Sequence, residues 1–309
     1  MELDKLIKEY LNVCLYQNNL NNKTIKAYRL DLEQFSKFNI GKNEFTKKEV
    51  ILDYIYFLNK NNYKTKTVKR KIASLKAFFS YLNYEEKIKT SPFSKIRLKI
   101  KEPIILPKII PLEQLNILFQ YIYNEKNKSS ITSYTYKAIV RDIAVVELLF
   151  GTGVRISELC SLKQDDIAIQ NHTIKIFGKG AKERIIPIYN KNILDALENY
   201  QKIFCKEILS SEYFFVNKRK NQLSSQSVRN MIKKHSIASN ISIHITPHMF
   251  RHTFATTLLE VDVDSRHIQQ ILGHSSITTT QIYTHLTSNK KSEIMKLKNP
   301  RSKIIINEG

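Results

Sequence analysis

Apolar residues recur at helical spacing through the first hundred positions. Leu3, Leu6, Ile7, Tyr10 and Leu11 form one stripe, and Ile25, Tyr28, Leu32 and Phe35 form another. Asn22 or Thr24 is expected to cap the second helix and Gly41 to end it. Thr46 followed by Glu49 has the form of a capping box ahead of Val50, Ile51, Tyr54 and Phe57. A fourth stripe carries Val68, Ile72, Leu75, Phe79 and Leu82, and Lys66, Lys69 and Arg70 fall opposite it. With Lys64, Lys71 and Lys76 nearby, those cations read either as a solvated face or as a helix front lying on phosphates. The pattern predicts a four-helix N-terminal domain.

Pro103, Pro107 and Pro111 interrupt the helical pattern between Ile100 and Leu112. Proline removes backbone donors and biases its predecessor toward extended structure. This stretch is read as a linker over 104–111, with domains at 1–103 and 112–288 and a basic tail at 289–309. Leu112, Leu115, Leu118, Tyr121 and Ile122 begin the second domain as a helix. The polar stretch Asn124–Thr135 is expected to be a loop. A largely apolar helix follows over Ala138–Phe150 and ends at Gly151-Thr152-Gly153, and a new helix restarts at Ile156. Thr173–Phe177 and Arg184–Ile188 alternate as strands joined by Gly178-Lys179-Gly180-Ala181-Lys182-Glu183, and Tyr213–Val216 is the candidate third strand. Helices are expected over about 190–208, 225–238, 247–260, 264–272 and 276–286. The fold class is therefore mainly α, in two domains, with a small antiparallel three-stranded sheet in the second.

Charge narrows the partners. The 309 residues hold 50 Lys+Arg against 28 Asp+Glu, a formal net charge of +22. Such an excess attracts polyanions, nucleic acid first and an anionic membrane surface second. The excess is shared: 22 basic against 11 acidic residues before Pro103, and 28 against 17 from there on. Both halves are then expected to touch one polyanion. Cys14, Cys160 and Cys205 are odd in number and scattered, which argues against a disulfide framework or a zinc knuckle. The first residues lack the layout of a signal peptide, and no apolar run approaches the ~20 residues that span a bilayer. A cytoplasmic protein with no membrane partner is expected. Glycine is scarce, and five of the seven (Gly151, Gly153, Gly178, Gly180 and Gly273) sit in the segments that carry the candidate chemistry.

That chemistry gathers from short motifs that are weak singly. His248 and Arg251 are three apart on a predicted helix and share a face, behind Pro247 in its first turn. Gly273-His274-Ser275 stands at a junction where glycine can take left-handed geometry. Tyr283 follows nine residues later. Arg155 lies near a helix start, and Lys179 lies on the hairpin. Each alone is more often a surface or packing residue than a site.

Together the five segments Thr152–Leu159, Gly178–Arg184, Thr246–His252, Leu272–Ser275 and Gln281–His285, in this order and spacing, resemble the tyrosine recombinase (phage integrase) family, Xer-type. The resemblance covers about residues 106–288. It implies a catalytic fold preceded by a SAM-like core-binding domain, matched here only in its four-helix architecture. It implies that Arg155 and Arg251 fork onto the non-bridging oxygens of a scissile phosphate, where a planar guanidinium serves better than an ammonium. His248 and His274 would donate to the same oxygens, Lys179 would protonate the leaving 5′-oxygen, and Tyr283 would be the nucleophile. Glu158 and His252 are expected to orient the arginines. Lys66, Lys69, Arg70, Arg229 and Asn230, with Ser227, are candidate DNA contacts. The 3′-phosphotyrosyl bond would keep the energy of the broken link, so no cofactor and no metal is expected. The implied partner is double-stranded DNA with a specific site, gripped as by a clamp. A homo-tetramer, or a hetero-tetramer with a related recombinase, would exchange strands through a Holliday junction.

One feature pulls against a housekeeping chromosome-resolution role and leaves room for a mobile-element or phage one, and another pulls against the larger integrases. The 124–135 loop looks long for the Xer type, while the absence of an arm-binding segment before the first helix argues against the larger integrases. The tail, with Met295, Leu297 and Ile304–Ile306 as candidate anchors, reads as a segment that docks on a neighbouring protomer or as a disordered basic tail. The alternatives are a type IB topoisomerase-like nicking-closing enzyme and a non-catalytic DNA-binding protein on the same fold.

Overall fold

The computed structural model describes residues 2–40, 44–98, 100, 108–131, 133–178, 183–273 and 295–304. The chain divides into two compact units, Met1–Ile105 and Leu106–Gly309.

The first unit packs α1 (Glu2–Tyr16), α2 (Asn22–Phe38), α3 (Lys48–Lys60) and α4 (Thr65–Tyr84) around one apolar core. Phe35, Tyr54, Phe78 and Phe79 are fully buried in it. Rings at 5–6 Å in edge-on contact, Phe35 against Tyr54 and Phe35 against Phe79, lock the crossing of α2, α3 and α4. The N-cap of α2 is Asn21, one residue ahead of the expected position, and its side chain accepts from the Thr24 backbone N–H at 2.9 Å. Thr46 caps nothing, because α3 starts at Lys48 with Lys47 as its N-cap.

Lys71 faces inward. Its ammonium meets the fully buried Asp31 carboxylate at 2.9 Å, and Ser74 donates to the same carboxylate at 2.9 Å. Lys71 therefore clasps α4 to α2 and is withdrawn from any phosphate-facing role, since a buried carboxylate needs its charge matched. Arg70, half exposed, also reaches Asp31. Lys66 and Lys76 remain exposed on α4.

The second unit begins its helices at α5 (Leu112–Lys128), with α6 (Tyr134–Thr152) behind it. The expected loop over Asn124–Thr135 shrinks to residues 129–133. The Glu and Lys residues that made the stretch polar are good helix formers and extend α5 on a solvated face. Ser133 caps α6 through the Tyr136 N–H. α6 is buried along nearly its whole length and forms the centre of the core. Short α7 (Ile156–Cys160) follows.

The sheet orders β1 (Ile167–Ala168), β2 (Thr173–Phe177) and β3 (Glu183–Pro187), all antiparallel, with Phe177 opposite Glu183 at the hairpin end. β1, not Tyr213–Val216, is the third strand. Phe214 donates its N–H to the Leu162 carbonyl, and Val216 pairs with Gln222 as an isolated bridge, so that apolar run fills core rather than extending the sheet.

The remaining helices are α8 (Lys191–Ile203), α9 (Cys205–Leu209), α10 (Ser225–Ala238), α11 (Pro247–Glu260) and α12 (Ser265–Leu272). The expected continuous helix over 190–208 breaks at Phe204, whose ring turns into the core. The segment 295–304 packs on α6 of its own chain: Met295 and Ile304 are buried there rather than held out for a neighbouring protomer, Leu297 is 70 % exposed, and Ile305 and Ile306 lie outside the described residues. Its chief anchor is Arg301, fully buried and paired with fully buried Glu147 at 2.5 and 2.7 Å. No helix among the described residues is long and apolar enough to cross a membrane.

Candidate active site

α11 is buried nearly all round, so it presents polar residues to the interior as well as apolar ones. Phe250, Phe254 and Leu258 fix it in the core, and its Thr253 hydroxyl accepts the Ile110 N–H at 2.8 Å. Each buried Phe contributes roughly 1.5–3 kcal/mol. That anchoring sets where Arg251 points.

Arg251 is 5 % exposed. It donates from one terminal nitrogen to the Gly153 carbonyl and from the other to the Leu272 carbonyl, both at 2.8 Å. Burial, reinforced by the Arg155 guanidinium, pulls its pKa down to about 10. It is still cationic at neutral pH, and an arriving anion would relieve its desolvation.

Arg155 is the N-cap of α7, placed there because Gly153 ends α6 in left-handed geometry at φ +63°. A Cβ on Gly153 would come within 2.7 Å of both Leu272 and Phe254. Arg155 donates to Glu158 at 2.7 Å and to the Gly273 carbonyl at 3.2 Å, and keeps about a third of its side chain exposed. Two glycine carbonyls in left-handed turns, Gly153 and Gly273, thus hold one arginine each.

Glu158 is the hub. Its buried carboxylate accepts from the Arg155 backbone N–H, the Arg155 guanidinium and both terminal nitrogens of Arg184. Burial raises its pKa, but those hydrogen bonds and charges outweigh burial and hold it below the ordinary carboxylate value. The orientation of Arg155 expected of Glu158 rests on these contacts. Arg184 also donates to the Ile271 carbonyl at 2.9 Å.

Three guanidiniums therefore meet the last carbonyls around the end of α12: Arg184 at Ile271, Arg251 at Leu272 and Arg155 at Gly273. A helix C-terminus carries partial negative charge and favours cations by roughly 0.3–1 kcal/mol each. One carboxylate offsets three cations, so the cluster is electropositive and suited to an anion. Two terminal nitrogens per arginine each carry a second N–H, leaving donors for ligand oxygens.

His248 lies exposed one turn before Arg251 on α11. His252 is half-buried, and its pKa is lowered by burial first and then by His248 and Arg251. Arg251's hydrogen bonds go to Gly153 and Leu272 rather than to His252. Lys179, His274 and Tyr283 lie outside the described residues. Described neighbours flank the first two: Phe177 and Glu183 pair at the base of the Lys179 hairpin, and Gly273 immediately precedes His274. Lys66 and Arg70 are exposed on α4 with Lys69 half-buried, and Ser227, Arg229 and Asn230 are exposed on α10. Gln226 and Asn230 are hydrogen-bonded to each other at 2.9 Å.

Arg184 was not singled out in the sequence. Its signal was available: on β3 it shares a face with buried Ile186, while the intervening Ile185 is 58 % exposed. A charge on the inward face of a strand needs a partner.

The Phage integrase family pattern matches residues 119–290, and that of the Phage integrase N-terminal SAM-like domain matches residues 7–86. The chain is 48 % identical over 297 residues to a tyrosine recombinase of Agathobacter rectalis, covering 96 % of each. It is 33 % identical to tyrosine recombinase XerC of Pediococcus pentosaceus, covering 98 % of this chain and 99 % of that one. XerH site-specific recombinase, solved on palindromic difH substrate as a post-cleavage complex, shares the fold with TM-score 0.70 at 22 % identity, over 93 % of this chain and 83 % of that one.

Proposed function

The chain belongs to the phage integrase family and is a tyrosine-type site-specific DNA recombinase; from that premise we propose that Arg155, Lys179, His248, Arg251, His274 and Tyr283 carry out its strand cleavage. In the proposed step the Tyr283 hydroxyl gives up its proton to solvent and its oxygen attacks the scissile phosphorus. The bond to the 5′-oxygen breaks, and that oxygen leaves with a proton from Lys179. Arg155 and Arg251 hold the non-bridging oxygens, and His248 and His274 donate to them. Rejoining reverses the step with the 5′-hydroxyl of the partner strand.

The observation that carries the reading is the convergence of Arg155, from the start of α7, and Arg251, from α11, on adjacent carbonyls at the end of α12. Both are neutralised only in part, through Glu158. A phosphate turning pentacoordinate gains negative charge, and prepositioned guanidiniums stabilise that gain without reorganising. Both units are basic, and we propose that both contact the duplex, the first through Lys66, Lys69 and Arg70 and the second through Arg229 and Asn230. We further propose that assembly on DNA is tetrameric and that exchange passes through a Holliday junction.

The experiment is cleavage of a nicked suicide duplex carrying the cognate site. Arg155→Ala and Arg251→Ala should bind this DNA within a few-fold of wild type, yet lose covalent adduct by about 10²-fold or more. Adduct formation at the wild-type rate by either variant would remove that arginine from the site. A supercoil-relaxing activity without strand exchange between two duplexes would favour the topoisomerase-like alternative.

A further inference from the structure

We propose that Arg184 is a positioning residue for strand cleavage, tying the base of the Lys179 hairpin to Glu158 and the end of α12 so that Arg155 is held in its phosphate-ready pose. The inference rests on the recombinase reading of this site.

Arg184 is the second residue of β3, next to the Glu183–Phe177 pair that closes the hairpin. Its side chain turns inward and is 9 % exposed. All three of its guanidinium nitrogens are used on two bodies. Nε donates to the Ile271 carbonyl at 2.9 Å, Nη1 to one Glu158 oxygen at 3.1 Å and Nη2 to the other at 2.7 Å. The same carboxylate takes the Arg155 backbone N–H at 2.9 Å and its guanidinium at 2.7 Å. Arg184 thus fixes the carboxylate plane, and the carboxylate fixes Arg155.

A second contact points the same way. A Cβ on Gly273 would lie 3.0 Å from Arg184 Nη1 and 3.2 Å from its Cδ. The backbone that accepts Arg155 and leads into His274 therefore rests directly on the Arg184 guanidinium. A lysine could not replace it, because one ammonium cannot span a carbonyl and both carboxylate oxygens in a planar fork.

A purely structural ion pair would give a different result: loss of stability with unchanged chemistry once DNA is bound. Single-turnover cleavage of the nicked suicide duplex at saturating protein separates the two, with folding checked by thermal denaturation. Arg184→Gln and Arg184→Lys should both bind DNA and cleave it about 10²-fold more slowly. Arg184→Lys keeps the charge and guards against failure to fold. Glu158→Gln and Arg184→Gln should be far from additive in cleavage rate, since they act as one unit.

The slow rate should persist on a duplex with sulfur at the scissile 5′-bridging position. That leaving group needs no proton, so Lys179→Ala is rescued on it while an arginine-positioning defect is not. Wild-type cleavage by either folded variant overturns the assignment, as does full rescue by the sulfur substrate, which would place Arg184 with the proton donor instead. Absence of adduct with wild-type protein would fail the recombinase reading itself.

Discussion

Replacing Glu158 with glutamine tests how the cationic cluster is held together. The carboxylate accepts four hydrogen bonds, two on each oxygen, and its side chain is 5 % exposed. Glutamine keeps one acceptor and turns an NH2 toward two donors, so two bonds are lost. The only carboxylate hydrogen-bonded to Arg155 and Arg184 among the described residues is lost with them. Hydrogen bonds to charged groups contribute about 1.5–3 kcal/mol each, and breaking a buried ion pair costs about 3–5 kcal/mol. Two such bonds come to about 3–6 kcal/mol and the ion pair to about 3–5, so the loss is taken as about 3–5 kcal/mol.

With a urea m-value of about 2–3 kcal/mol/M, that loss lowers the unfolding midpoint by roughly 1–2.5 M. The sign with pH follows from the lowered pKa of Glu158. Its contribution is fully present above the unfolded carboxyl's pKa and is lost as pH falls through the folded value. The gap between wild type and variant should therefore hold at neutral pH and close in acid. A midpoint shift below about 0.3 M at pH 7 would contradict the hub role, taking the same m-value.

Three further outcomes follow from the packing. Gly153→Ala forces a methyl against Leu272 and Phe254 at 2.7 Å in left-handed backbone, so thermal denaturation should show a loss of about 2–4 kcal/mol. Arg301→Met leaves the Glu147 charge buried with only the Tyr123 hydroxyl donating to it and should cost about 3–5 kcal/mol, whereas Glu147→Leu with Arg301→Met should recover much of it, less the Tyr123 hydrogen bond; equal losses in single and double variants would refute the pairing argument. Arg229→Ala, altering an exposed side chain, should leave the melting temperature unchanged while weakening DNA binding and reducing the salt slope by about one, read by binding titrations at several salt concentrations.

Much of this was legible because it follows from local pattern. The stripes of α1 to α4, the ends of α10 and α11, and the β2–β3 hairpin are set by periodicity, capping residues and turn glycines within a few positions of each other. The site motifs were legible as types and spacing. What pattern could not supply was pairing across distance. Lys71 looked like one more cation of a basic helix until Asp31, forty residues away, claimed it. Arg301 looked like one more cation of a basic tail, and only its partner Glu147 in the middle of α6 makes it a core residue. Arg184 was hidden in the same way, since its role depends on Glu158 and on the α12 carbonyls. The polar residues 124–128 misled because composition alone does not distinguish a solvated helix face from a loop.

The proposed chemistry turns on Tyr283 becoming joined to DNA. The direct measurement is proteolysis of the trapped adduct followed by mass spectrometry of the peptide bearing the 3′-phosphate. One modified peptide containing Tyr283 is expected, and no adduct from Tyr283→Phe at unchanged DNA affinity. A phosphate found on another of the sixteen tyrosines, or an adduct that survives Tyr283→Phe, would contradict it.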